Sequence, residues 1–569
     1  MDHAQPDLAL TQLSAAKQRW AETDLNQRIA VLEQIKTHLM EVADDWVARA
    51  AEAKGIAPTS PLVGEEWFSG PYALMTGCNA LLETLRQMPG KAFLDAIPLR
   101  TLTTGQIAAR VMPASIWDKL LLPGVKAEVW MQPGVTRDTL ADSVATAYDI
   151  PPQQRIGKLA LVLGAGNIAS IAPLDCFHRL FSRHQVVMLK LNPVNEYLAE
   201  FLETALKPLI DLDALRIVKG DAALGQYLCN HDLVEEIHIT GSQASHDAIV
   251  WGSGETGRKN KQAGTPINTR PITSELGAVG PTVVVPGPWS AADLRFQAEH
   301  IASQKLHNSG FNCIACQMLI LPGEWGQTDA LLSELAAVIA DLEPRPAYYP
   351  GAAQRMEQFA DHSTRAQQWP RGTAPACVMV PYREGDDDWF TQTEVFAPAL
   401  STHRISGTDA ADYLRTAIRF ANERLHGTLG ANIIIHPKTI KQIGAKRFES
   451  LIADLHYGCI GINAWSGLGF SLSQTPWGAF PGHSLTDVQS GIGFVHNSYM
   501  FDRAQRTVLR APFRPFPRSV LAGEFTLMPR PPWFVTHKTQ APLGRRMTRL
   551  QYRPKLSQLP RLMRLALRG

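Results

Sequence analysis

The sequence predicts an α/β protein: a doubly wound parallel sheet behind an N-terminal helical segment, then a second α/β domain. Three observations predict this class. Between residues 157 and 242, short apolar runs alternate with amphipathic stretches, and strand–helix–strand repeats of that kind build parallel sheets. The alternation resumes from 272 to 480, beyond a polar, glycine-rich segment. The chain has 569 residues, 45% of them hydrophobic and 19% charged, which suits large folded cores and not a disordered chain.

Taken in order, residues 7–54 read as helix, because Leu8, Leu13, Ala16 and Trp20, then Ile29, Leu32, Ile35, Leu39 and Val42, recur at helical spacing. Thr23 followed by Asp24 offers a cap for the second helix. Residues 61–90 are mostly helical and 92–135 strand-like. Apolar runs at 158–163, 185–191, 214–218 and 235–240 read as strands, with helical stretches at 174–184, 196–210 and 222–231 between them. Ligands of such sheets bind at the carboxyl ends of the strands, where Gly, Asn and Ser cluster here. Residues 252–271 read as a loop or linker. The second alternation runs from 272 to 480. The expected division is 1–276, helices and the first sheet; 277–481, the second α/β domain; and 482–569, an extension with nine prolines after residue 511.

Composition excludes several classes. The seven cysteines, Cys78, Cys176, Cys229, Cys313, Cys316, Cys377 and Cys459, are too few and too scattered for a disulfide framework and read as reduced thiols. The first residues, MDHAQPDLAL, show no basic-then-apolar signal pattern, and no run of apolar residues reaches membrane-spanning length. A cytoplasmic protein is expected. The formal charge of +2 gives no ground for nucleic-acid binding, but it hides an asymmetry. Residues 501–569 carry 13 Arg and 2 Lys against Asp502 and Glu524, so an acidic body carries a basic tail.

Three local patterns bear chemistry. Gly164-Ala165-Gly166-Asn167-Ile168-Ala169 fits G-x-G-x-x-A after an apolar strand, a pattern whose glycines admit a pyrophosphate. The acid that should follow to hold a ribose is absent, and Lys190 ends the second strand instead; a plain turn of small residues fits as well. Cys313 and Cys316 form a C-x-x-C without a second pair or neighbouring histidines, which is poor evidence for zinc; two buried apolar thiols are the plainer reading. Glu275, in Ser274-Glu275-Leu276-Gly277-Ala278, is by itself unremarkable.

In order along the chain, these segments resemble the aldehyde dehydrogenase superfamily. Asn167 lies 23 residues before Lys190, the family's spacing between its oxyanion Asn and its cofactor-binding Lys. Thr240-Gly241-Ser242 resembles the T-G-S turn, Glu275-Leu276-Gly277 the E-L-G-G motif, and Asn308 to Cys313 the N-x-G-Q-x-C nucleophile motif. Glu394 to Pro398 resembles E-x-F-x-P, and Gly458 to Asn463 the later G-x-x-x-I-N. The resemblance implies a doubly wound cofactor domain plus a catalytic domain, and NAD- or NADP-dependent oxidation of an aldehyde to its acid. It implies Cys313 as nucleophile, Asn167 as oxyanion donor and Glu275 as general base. Lys190, Gly241, Ser242, Glu394 and Phe396 would hold the cofactor, no metal is required, and a homodimer or homotetramer is expected. A thiolate attacks an aldehyde and holds the acyl group as a thioester, which a base-activated water then releases.

The departures are specific. His246 stands at the family's glycine after T-G-S, Gly166 at its Trp before the oxyanion Asn, Ala278 at the second Gly of E-L-G-G and Phe311 at the Gln of N-x-G-Q. Pro193, in place of a common Glu, removes a carboxylate that would repel a 2′-phosphate, so NADP is permitted. Gly166 suggests room for a larger, apolar aldehyde. Two other readings remain: an acylating reductase that exchanges the thioester with coenzyme A, and an inactive scaffold whose basic tail is the working part. The tail's end places Leu559, Leu562, Leu565 and Leu567 among Arg561, Arg564 and Arg568. That pattern fits packing on the acidic body or a partner subunit, and also peripheral contact with an anionic membrane.

Overall fold

The computed structural model describes residues 3–569, and two sheets organise them. The first has six strands in the spatial order Gly491–Ile492, Ile272–Leu276, Glu236–Gly241, Leu159–Leu163, Val186–Lys190 and Leu215–Val218, all parallel except the first. The second has eleven. Its parallel centre runs through Ala504–Arg510, Cys459–Ile462, Gly430–Ile434, Gly280–Val284, Cys316–Pro322, Ala399–Ile405 and Ala374–Tyr382. Antiparallel strands flank it: Leu99–Thr101, Ile107–Met112 and Lys126–Met131 at one edge and Gln367–Arg371 at the other. The α/β class with parallel sheets is therefore the one the alternating pattern predicts. Central strands such as Val186–Lys190 and Cys316–Pro322 are buried along their whole length, as strands covered by helices on both faces must be.

Local chemistry fixes the element ends. The N-terminal helices are Ala4–Glu22 and Leu25–Ala53, and Asp24, not Thr23, caps the second: its carboxylate accepts from Gln27 N at 2.8 Å while the Gln27 side chain returns to Asp24 N. The segment expected as a linker contains a helix, Gly254–Ala263, stopped by Gly264 in the left-handed region. Its polarity concealed it, since Gly257 is its one buried residue among those described and its exposed face carries a Glu255–Lys259 pair. Residues 482–510 contribute strands to both sheets.

Beyond Arg510 the chain returns across the molecule. Helix Gln540–Tyr552 packs on the helix Val63–Trp67, and Arg545 pairs with Asp44 at 2.7 Å. The apolar side of the last helix, Leu559–Ala566, lies on Leu543, Met547 and Leu550. Of the leucines that suggested a membrane face, Leu562 is buried there and Leu559 and Leu565 pack half-buried beside it, while Leu567 stays 47% exposed.

Candidate active site

Cys313 follows the helix Ala291–Leu306, which Ser290 and Asp293 open with a capping box. The chain then passes through Asn308 at φ 51°, Ser309 at φ 54° and Gly310 before reaching Phe311. Two consecutive non-glycine residues in the left-handed region cost about 1–3 kcal/mol each, so other contacts must hold them. They are held by a buried ionic cluster. Glu65 Oε2 accepts from Asn308 N at 2.9 Å and pairs with Arg345, whose guanidinium also reaches Glu66 at 3.4 Å. Lys54 Nζ lies 3.0 Å from Glu66 and donates to Asn167 O at 3.1 Å. Tyr348 Oη and Asn308 Nδ2 donate to the same carbonyl at 3.2 and 3.1 Å. Burial alone would raise the Glu65 carboxyl, but Arg345 and His307 hold it below its ordinary value. The Asn167 backbone is therefore anchored by three donors, and its side-chain Nδ2 donates to Phe311 O at 2.9 Å, tying it to the loop that carries Cys313.

Opposite this loop, the strand Ile272–Leu276 presents Glu275. Cys313 Sγ donates to Glu275 Oε1 at 3.3 Å. Glu275 is 2% exposed, and burial, reinforced by the Asp175 carboxylate, pushes it up to about 7 against the opposing influence of the Trp477 indole and the Cys313 thiol. Burial, then the Glu275 and Glu394 carboxylates, push the Cys313 thiol well above its ordinary value. At rest the pair is thus a thiol beside a carboxyl poised to titrate near neutrality, the condition a general base needs.

Both groups open on a cleft of about 650 Å³ at the carboxyl ends of the first sheet's strands. Its walls include all eight residues singled out from the sequence: Asn167, Lys190, Gly241, Ser242, Glu275, Cys313, Glu394 and Phe396. Lys190 ends the strand Val186–Lys190. Ser242 caps the helix Gln243–Trp251 by accepting from Ser245 N. Glu394 lies against Gly277, where a Cβ would stand 1.8 Å from its Oε2, so any side chain there would push the carboxyl out of place. Burial raises Glu394 to about 8, with Lys305, Arg355 and the Ala278 N–H acting against it. Its Oε1 has no hydrogen-bond partner among the described residues, which leaves it ready to accept from a hydroxyl. Those features fit a dinucleotide lying from Lys190 to Glu394. Among the described residues no group of three His, Cys, Asp or Glu is placed to hold a metal ion.

Residues 190–350 match the aldehyde dehydrogenase family model. Over that segment the chain is similar to the aldehyde dehydrogenase family. Among solved structures, an aldehyde dehydrogenase from Mycobacterium tuberculosis complexed with NAD+ is 16% identical over 89% of this chain and 90% of its own, at a TM-score of 0.59. Lactaldehyde dehydrogenase from Escherichia coli is 15% identical over 88% and 89%, at 0.58. A 3,6-anhydro-L-galactose dehydrogenase in complex with NADP is 14% identical over 89% and 91%, at 0.56. At such identities the likeness establishes the aldehyde dehydrogenase fold. No curated protein matches the chain in sequence.

The structure accounts for two departures from the aldehyde dehydrogenase motifs. Phe311 is fully buried and packs on Tyr348, Tyr349 and Phe396 with ring centroids 5.0, 5.4 and 5.7 Å away. Gly166 makes no extra room for substrate: a Cβ there would meet Asn192 Oδ1 at 2.6 Å and Tyr349 Oη at 2.7 Å, so those side chains fill the place. Sequence reasoning missed Tyr349 and Arg355, which also line the cleft, and Arg355 holds the Glu394 segment by donating to the Val395 and Phe396 carbonyls at 3.0 Å. Neither residue sits in a motif. It likewise missed Lys54, Glu65, Glu66 and Arg345, whose meeting depends on contacts between segments up to 280 positions apart.

Proposed function

We propose that the protein oxidises an aldehyde to its carboxylic acid with NAD or NADP as electron acceptor. The observation that carries this reading is the Cys313–Glu275 hydrogen bond at the wall of a cleft that also holds Asn167, Lys190 and Glu394. Glu275 takes the thiol proton, and the Cys313 thiolate attacks the carbonyl carbon. The charge developing on oxygen is met by the Cys313 N–H and by Asn167 Nδ2, which three donors to the Asn167 carbonyl keep in place. Bound NAD(P) supplies the hydride acceptor. Glu275 then takes a proton from water, which attacks the thioester carbon and releases the acid and the thiol. Lys190 binds the adenosine ribose or its phosphate, Gly241 and Ser242 border the nicotinamide, and Glu394 with Phe396 holds the nicotinamide ribose.

The test is NAD(P)H formation from short-chain, long-chain and aromatic aldehydes with each cofactor, wild type beside Cys313→Ala. Formation that vanishes in the variant is expected. NAD(P)H consumption on acyl-CoA, without formation from any aldehyde, would replace hydrolysis by transfer to coenzyme A. Silence in both directions would sink the enzymatic reading.

A further inference from the structure

Large apolar side chains stay in water in two stretches of the chain that fold against each other. On the helix Ile116–Leu121, Ile116 is 63% exposed and Leu120 is exposed beside it. In the extension, Val520, Leu521 and Phe525 are exposed, Leu521 to 88%, and so are Leu556 and Leu567. The stretches adjoin. Trp117 and Leu121 share one apolar cluster with Leu559, Leu562 and Leu565. The backbone at Gly124 passes so close to Phe525 that a Cβ there would stand 2.2 Å from the Phe525 carbonyl oxygen. Exposed leucines scattered singly are ordinary, but a group of them on adjoining segments marks a surface that meets something apolar.

The same surface is cationic. From Phe525 to Gly569 the sequence has ten Lys and Arg and no Asp or Glu. Arg530 is spent on Glu299, and Arg545 and Arg549 on Asp44. The others have no ion pair among the described residues, and Arg553, Lys555, Arg561, Arg564 and Arg568 are all exposed. Arg561 and Arg564 stand on the helix Leu559–Ala566 away from the buried Leu562 and Ala566, and Arg568 follows one turn on. Lys119 adds an exposed ammonium on the helix Ile116–Leu121. The acids close by are engaged by backbone donors: Asp118 accepts from Ser115 N at 2.9 Å and Glu524 from Phe513 N at 3.2 Å.

We propose that this face docks on an anionic phospholipid bilayer. The cations meet head-group phosphates and carboxylates, while Leu521, Phe525, Ile116 and their exposed neighbours enter the acyl boundary. A nucleic acid would use the cations but has no apolar phase for the aliphatic side chains, and the aromatic rings it would stack on, Trp533 and Phe534, are packed against His300 and each other. No helix among the described residues is long and apolar enough to cross a membrane, so the contact is peripheral.

The test is co-sedimentation of the full chain with vesicles of equal parts phosphatidylcholine and phosphatidylserine, beside vesicles of phosphatidylcholine alone. Binding to the mixed vesicles only, weakening as salt is raised, is expected. Each cation at such a surface contributes about fivefold, so Arg561→Gln, Arg564→Gln and Arg568→Gln together should lower partitioning about a hundredfold. Leu521→Ser with Phe525→Ser should lower it as well, with the charge unchanged. All five side chains are exposed, and an unchanged thermal unfolding midpoint checks that the variants fold. No binding to the mixed vesicles overturns the proposal, as does binding that either set of substitutions leaves intact. Binding to a random-sequence DNA duplex as tight as to the vesicles, and untouched by the Leu521 and Phe525 substitutions, would make the face a general polyanion site and equally overturn it.

Discussion

Replacing Glu275 by Gln is expected to stabilise the protein at alkaline pH while disabling it. Burial and Asp175 lift this carboxyl from an ordinary 4.5 to about 7. A difference of that size corresponds to about 3 kcal/mol between the folded and unfolded ionisation equilibria. The sign follows from proton binding. The folded chain holds the Glu275 proton more tightly than the unfolded chain, so folding is favoured below about pH 4.5, and that contribution is lost as pH rises through about 7. Gln cannot ionise and suffers no such loss. Relative to wild type, Glu275→Gln should be near neutral at about pH 4.5 and more stable by roughly 3 kcal/mol above about pH 8, provided its amide finds the same Cys313 and Trp477 neighbours. Urea unfolding of both proteins across that range measures it. The same variant should lose about 10²–10⁴ in acyl-thioester hydrolysis, and the limb of the wild-type pH–rate profile that rises through about pH 7 should vanish with it. A stability difference independent of pH would refute the reasoning, because Glu275 would then ionise in the folded protein as it does in water.

Two further substitutions probe the supports of the site. Lys54→Met removes a 2% exposed ammonium from Glu66 and one of three donors from the Asn167 carbonyl; with Arg345 still 3.4 Å from Glu66, the loss should be about 3 kcal/mol, with roughly tenfold lower turnover, by denaturant unfolding and steady-state kinetics. Gly277→Ala places a Cβ 1.8 Å from Glu394 Oε2, so the carboxylate must move; weaker NAD(P) binding in a fluorescence titration, with the Cys313 alkylation rate unchanged, is the expected result.

The legible part of this molecule is what short contiguous segments encode. Asn167, Lys190, Gly241, Ser242 and Glu275 sit at or just beyond the ends of apolar strands, where small and polar residues interrupt the pattern, and those strand ends converge on one cleft. The hidden part is what distant segments build together. Lys54 closes an ordinary amphipathic helix and Arg345 lies in a proline-rich connection, so neither has a local signal, yet they meet beneath Asn308. The helix Gly254–Ala263 was hidden for the opposite reason: it is solvated, and no apolar stripe marks it. Asp175 and His238 read as isolated polar residues in apolar surroundings until the strand register aligns them.

The basic extension has its explanation in the helix Ala291–Leu306, which leads into the Cys313 loop. That helix is buried on nearly every side although one face is polar, with Asp293, Gln297, Glu299, His300 and Ser303. A buried carboxylate without a partner would be strongly destabilising, so the polar face has to be covered by matching groups. The extension supplies them. Arg514 grips Asp293 with two bonds at 2.7 and 2.8 Å and Arg518 joins at 2.6 Å. Glu299 receives Arg530 and the Thr536 hydroxyl, Gln297 donates to Phe513 O, and Val535 N donates to Ser303 Oγ. Trp533 then packs on Trp465, whose indole donates to the carbonyl of Ile314, the residue after Cys313. Further on, helix Gln540–Tyr552 covers the helix Val63–Trp67 that holds Glu65 and Glu66. The extension therefore presses on the Cys313 loop from two directions, through the helix that leads into it and through the carboxylates beneath it. Its positive charge is complementary to an acidic helix face of its own chain, which makes the segment a structural support of the Cys313 loop.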